Sequence, residues 1–166
     1  WRAPSNACAR TWIRPEPKLA PLNPLEPEAH MILGIGTDLC DIRRIEKTLE
    51  RFGNRFLHRL FSQSERGKAL RRANPAASLA QSFAAKEACA KALGTGFRNG
   101  IFWRDMVVSN LPTGQPYMKI TGGALARMQK LTPAGMTSQA FVSQSDEYPM
   151  ANAIVIIEAW PRDRTN

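Results

Sequence analysis

Glu87 and Lys91 stand four residues apart in the run Phe83-Ala84-Ala85-Lys86-Glu87-Ala88-Cys89-Ala90-Lys91-Ala92-Leu93-Gly94-Thr95-Gly96. Alanine is a strong helix former and a glycine is a natural stop, so the run predicts a helix that ends at Gly94. On that helix Glu87 and Lys91 share a face within reach of each other. Lys86 points about 100° away around the axis. The Gly94-Thr95-Gly96 turn lets backbone approach a ligand closely. An acid, two lysines and such a turn suit a metal bound to phosphate. The same pattern also describes a capped surface helix with an ordinary ion pair. A second carboxylate, Asp38, stands where an apolar strand is expected to end. Brought together, Asp38 and Glu87 could hold Mg²⁺, with water and substrate phosphate completing its shell. Lys91 could then neutralise a phosphate oxygen. Spacing along the chain does not by itself bring the two acids together.

The elements that must position these groups follow from patterning. Met31–Thr37 reads as a short strand. Its Gly34 and Gly36 hint at a dinucleotide-binding loop, but Leu39 stands at the third glycine position and no βαβ pattern follows. A helix is expected from about Asp41, with Ile42, Ile45, Leu49 and Phe52 at core spacing and Arg44, Thr48, Arg51 and Arg55 on another face. Gly53 should end its first segment, and a second piece should run to Phe61. Ser62-Gln63-Ser64-Glu65 is a capping-box pattern that starts another helix, which Asn74-Pro75 stops. The central helix then covers about 76–93. Strands at Met106–Ser109 and Tyr117–Ile120 flank a turn-rich loop and predict a hairpin. A helix from Thr121 to about Leu131 and strands at Gln139–Ser143 and Ala151–Trp160 complete the chain. Helices first and antiparallel hairpins later predict an α+β class, helices packed on a small antiparallel sheet.

With 166 residues the chain is one domain's worth. Its first thirty residues hold half of its 12 prolines and no apolar core of a signal peptide. They read as an extended leader, set apart from a domain at 31–166. No apolar run is long enough to span a membrane. The 3 cysteines have no metal-type spacing and read as reduced thiols. Only two histidines, His30 and His58, occur, which gives little support to Ser-His or Cys-His catalysis. The net charge of +9 is concentrated: Ile42–Arg72 carries ten Lys and Arg against three Glu. Such a surface attracts an anionic partner, whether nucleic acid, acidic lipid, polyphosphate or acidic protein.

Several blocks, in order, carry a resemblance: Met31-Ile-Leu-Gly-Ile-Gly-Thr-Asp38, Arg44-Ile45, Arg55-Phe56-Leu57, Arg59-Leu60-Phe61-Ser62 with Glu65, Phe83-Ala-Ala-Lys86-Glu87-Ala, Lys91-Ala-Leu-Gly-Thr-Gly96 and Gly114-Gln-Pro116. From Met31 to about Ala159 the chain resembles the holo-acyl-carrier-protein synthases, bacterial 4′-phosphopantetheinyl transferases of fatty-acid synthesis. The resemblance implies transfer of 4′-phosphopantetheine from coenzyme A to a serine of an acidic apo acyl carrier protein, releasing adenosine 3′,5′-bisphosphate. It implies Mg²⁺ on Asp38 and Glu87, with Lys91 near the pyrophosphate. It implies coenzyme A contacts from Lys86, Gly94, Thr95, Gly96, Gly114 and Pro116, and carrier docking on Arg44, Arg51 and Arg55. It also implies a cytoplasmic homotrimer with sites shared between neighbouring subunits, no membrane and no nucleic acid. Phosphoryl transfer needs positioning and charge neutralisation more than a protein nucleophile, so the shortage of histidines fits.

The chain departs from the family pattern in two places. Gln81-Ser82 stands where an arginine often precedes the Phe-Ala-Ala-Lys-Glu block, and Phe141-Val-Ser-Gln-Ser-Asp146 replaces a histidine-bearing strand. Two other readings compete. One is a basic nucleic-acid-binding module without catalysis, which no aromatic-rich binding strand supports. The other is an unrelated Mg²⁺-dependent nucleotide hydrolase.

Overall fold

The structure is a computed structural model and describes residues 30–162. The expected leader, His30 apart, lies outside those residues, as do the last four positions. Among the described residues, four helices and five strands follow in the order β1 (Met31–Asp41), α1 (Ile42–Leu60), α2 (Gln63–Ala69), α3 (Pro75–Ala92), β2 (Met106–Asn110), β3 (Pro116–Ile120), α4 (Gly122–Leu131), β4 (Met136–Glu147) and β5 (Met150–Pro161). A short 3₁₀ turn at Trp103–Asp105 precedes β2. The α+β class holds, with two small antiparallel sheets in place of one: β1-β5-β4 and β2-β3.

Helix α3 is the hub. Alanines and small polar residues are buried on almost every side of it, from Ala76 to Ala92. A helix buried all round has no polar face to spare, and alanine lets neighbours come close. Asn74 caps its start by accepting from the Ala77 amide, and Pro75 sits at its first turn. The inner face of the three-stranded sheet lies on it through Ala151, Ala153, Val155, Ile157 and Ala159, all buried. Hairpin β2–β3 and helices α1 and α2 pack on its other sides.

Helix α1 breaks at Gly53, whose φ of 48° and ψ of −129° leave the helical region, as the sequence predicts. The capping box at the start of α2 is present in both directions: Ser62 accepts from the Glu65 amide, and Glu65 accepts from the Ser62 amide.

Strand β1 runs four residues past its expected end. It pairs with β5 along its whole length, down to Asp41 opposite Met150. Asp38 therefore sits inside the strand, opposite Ala153, and not at its tip.

Candidate active site

Two glycines decide where Asp38 lies. A methyl group on Gly36 would come within 1.9 Å of the Ala88 carbonyl oxygen, and one on Gly34 within 2.1 Å of that of Ala92. No side chain fits there, so β1 can lie directly on α3. Residues two apart on a strand share a face, so Asp38 follows Gly36 onto the helix side. There Lys91 donates to Asp38 Oδ1 at 2.8 Å and to the Thr37 carbonyl at 2.8 Å. Glu87, one turn back on α3, completes the group. Burial pushes its carboxyl above the usual range, the nearby Asp38 charge pushes it further, and Lys91 pulls the other way. Lys91 thus pairs with Asp38, and the half-buried Glu87 carboxyl lies close enough to feel the charges of both.

The donor set fits a hard divalent cation. Asp38 and Glu87 offer carboxylate oxygens, and crowding two such charges costs energy that a cation would offset. Among the described residues no cluster of three or more His, Cys, Asp or Glu exists. A cation held here would draw two carboxylates from this chain and need its remaining ligands from elsewhere.

The Gly-Thr-Gly turn closes α3 beside Lys91. Gly94 and Gly96 adopt φ of 72° and 59°, and the Gly96 amide donates back to the Ala90 carbonyl at 3.2 Å. Arg127 of α4 donates to the Leu93 carbonyl at 3.0 Å, so a further cation stands at this turn. Sequence reasoning missed it because it lies 34 residues away on a separate element, with no motif around it.

Lys86 does not line this site. Its side chain is fully buried on another side of α3, 3.1 Å from Glu65 Oε1. It also donates to the Trp103 carbonyl at 2.9 Å and to the Met106 carbonyl. The cofactor contact expected of Lys86 is corrected to an internal one. Its direction around the helix axis sends it toward α2 and β2, where no solute reaches it. Burial drives its pKa down, and the Glu65 carboxylate opposes that.

Gly114 and Pro116 lie at the β2–β3 turn, and neither hydrogen bonds to the Asp38 group within this chain. Arg44, Arg51 and Arg55 are exposed along α1, as expected from their spacing. Thr48, Phe52, Arg55, Phe56, Arg59 and Leu60 line a recess of about 270 Å³ at the α1 break. Arg59, four residues beyond Arg55, joins this basic rim; its spacing was the signal that could have found it. At the positions that depart from the family pattern, Gln81 donates to Asp146 at 2.6 Å and Gln144 donates to the Gln81 carbonyl at 2.7 Å. These amides tie α3 to β4.

Residues 34–153 match the family model of the 4′-phosphopantetheinyl transferase superfamily. The holo-[acyl-carrier-protein] synthase of Methylorubrum extorquens is 60% identical over 136 residues, 82% of this chain and 100% of that protein. That of Phenylobacterium zucineum is 60% identical over 79% of this chain and 95% of its own length. Among solved structures, the synthase of Neisseria meningitidis superposes with a TM-score of 0.66 at 34% identity, covering 76% of this chain and 98% of that one. The Helicobacter pylori synthase in complex with coenzyme A superposes at 0.63, with 31% identity, over 74% of this chain and 98% of that one. The chain belongs to the 4′-phosphopantetheinyl transferase superfamily, among its holo-[acyl-carrier-protein] synthases.

Proposed function

We propose that this protein moves 4′-phosphopantetheine from coenzyme A to a serine of an apo acyl carrier protein, releasing adenosine 3′,5′-bisphosphate, in fatty-acid biosynthesis. The observation that carries the reading is the Asp38–Lys91 contact at 2.8 Å with Glu87 alongside, built by the seating of β1 on α3. The carrier's serine oxygen forms a bond to the phosphorus that bears pantetheine, and the bond from that phosphorus to the bridging pyrophosphate oxygen breaks. The leaving bisphosphate takes the electron pair, and the serine proton passes to a carboxylate or to water. Asp38 and Glu87 are the residues that would hold Mg²⁺, which when bound supplies charge neutralisation on the pyrophosphate. Lys91 orients and neutralises a phosphate oxygen, and the Gly94–Gly96 turn lets the ligand lie close to backbone.

The arginines of α1 with the apolar recess beside them support docking of an acidic carrier helix. A homotrimer is supported by the outer sheet face. Ile35, Ile156 and Phe141 stand in one row across β1, β5 and β4. Ile35 is 58% exposed, and Leu39, Ile154 and Phe141 are exposed around it. Contiguous apolar surface of this kind marks a contact face. Cys40 and Cys89 are free and buried, which suits a reducing cytoplasm. No helix among the described residues is long and apolar enough to cross a membrane.

The test is direct. With coenzyme A, Mg²⁺ and an apo carrier, intact-mass measurement should show the carrier gaining one phosphopantetheine. An unchanged carrier mass would overturn the reading. Phosphate release without a carrier would point to a hydrolase.

A further inference from the structure

The C-terminal end of α3 is an adverse place for an anion. A helix presents about half a negative charge there, on last-turn carbonyls that have no partner within the helix. α3 spans 18 residues, and Asp38 and Glu87 add two carboxylates near it. Yet Lys91 and the Gly94-Thr95-Gly96 turn, which the proposed function gives to the pyrophosphate, belong to this end. The Lys91 ammonium already donates to Asp38 Oδ1 and to the Thr37 carbonyl. It has to answer two acids, a helix terminus and the incoming phosphates. A metal held by the two acids would offset their charge and leave the carbonyls as they are.

Arg127 brings a second cation to those carbonyls. It lies half-buried on α4, and its Nε donates at 3.0 Å to the carbonyl of Leu93, the buried residue that caps α3. The turn leaves that carbonyl to it: the Gly94 amide donates to the Lys91 carbonyl at 2.9 Å, and the Gly96 amide to the Ala90 carbonyl at 3.2 Å. Arg127 Nη2 stands 3.8 Å from the place a β-carbon on Gly94 would take, so the guanidinium lies against the turn itself. Among the described residues no carboxylate pairs with it. Its charge is therefore spent on the helix end, and the rest of its planar fork keeps donors to spare.

We propose that Arg127 is a positioning residue for the phosphate ligand: it neutralises the carbonyl end of α3 and holds the Gly94–Gly96 turn where backbone can approach a pyrophosphate. This rests on the proposed function and adds α4 to its site. Arg127 acts through the Leu93 carbonyl and requires no contact with the substrate. A mere brace between α4 and α3 would instead cost stability and leave coenzyme affinity alone.

Calorimetric titration of coenzyme A into the full chain with Mg²⁺ and no carrier separates the two. Arg127→Met keeps the stem and removes the charge, whereas Arg127→Lys keeps the charge and loses the fork. The Kd of R127M should rise about fivefold at low salt, the effect of a favourably placed charge at a helix end, and R127K should recover most of it. In about 1 M salt, where the screening length falls to about 3 Å, the gap between R127M and the parent should narrow. R127M binding as tightly as the parent, whatever its melting temperature, overturns the role, and so does R127K binding as weakly as R127M. If R127M does not fold, R127Q carries the same comparison. Carrier modification, followed by mass on the parent, reports on the transferase reading. A parent that binds coenzyme A and leaves the carrier unmodified ends that reading while the Arg127 comparison still decides its own question. A parent that does not bind coenzyme A overturns both.

Discussion

Lys86 and Glu87 are adjacent in sequence and do unrelated work. Lys86→Met would leave the Glu65 carboxylate buried without its cation, which typically costs about 3–5 kcal/mol. The double variant Lys86→Met with Glu65→Gln should recover part of that. It removes the stranded charge while an amide oxygen can still accept from the α2 cap. Urea unfolding midpoints of the two variants decide this; equal midpoints would mean that the pair is not the anchor its burial implies. Asp38→Ala or Glu87→Ala should behave in the opposite way. Neither side chain packs in the core, so circular dichroism and melting should stay near the parent's, while turnover falls at least about 100-fold through loss of preorganised charge stabilisation. Mg²⁺ should raise the parent's melting temperature and fail to do so in either variant, because only a folded ligand pair is stabilised by mass action.

At the scale of elements, the site depends on how closely β1 approaches α3. Gly36→Ala places a methyl within 1.9 Å of the Ala88 carbonyl and must push the strand away. Overpacking of this kind costs about 1–3 kcal/mol. It should also lower kcat by opening the Asp38–Lys91 contact, a loss that chemical denaturation and turnover measured on one preparation can separate. Helix α1 faces outward and answers to a different assay. Arg44→Glu should raise the KM for the carrier about tenfold or more and leave that for coenzyme A unchanged. Adding salt to the parent should produce a similar rise, because exposed charges are screened. Equal effects on both substrates would remove α1 from carrier docking.

At the scale of the whole molecule, the three-stranded sheet covers α3 on one side and leaves apolar side chains on the other. Ile154→Lys, in the middle of the outer face and 39% exposed, should convert a trimer into monomers by light scattering while the inner face keeps its packing. A monomeric parent would end the trimer reading.

Much of this was legible in the chain. Local backbone chemistry wrote the break at Gly53, the capping box at Ser62–Glu65, the start of α3 at Asn74-Pro75 and the α+β class, because caps, glycines and apolar spacing act over a few residues. The candidate acids and Lys91 were legible too, through the resemblance that their motifs carry. What the sequence could not supply was placement between distant elements. Gly34 and Gly36 looked like a failed nucleotide loop until α3 was seen lying against them. Lys86 looked like a ligand-binding neighbour of Glu87 until the helix was surrounded on all sides. Arg127 had no local signal at all. These depend on which surfaces meet, and that is fixed by the burial of the whole alanine-rich helix, a cooperative outcome that no stretch of residues encodes alone.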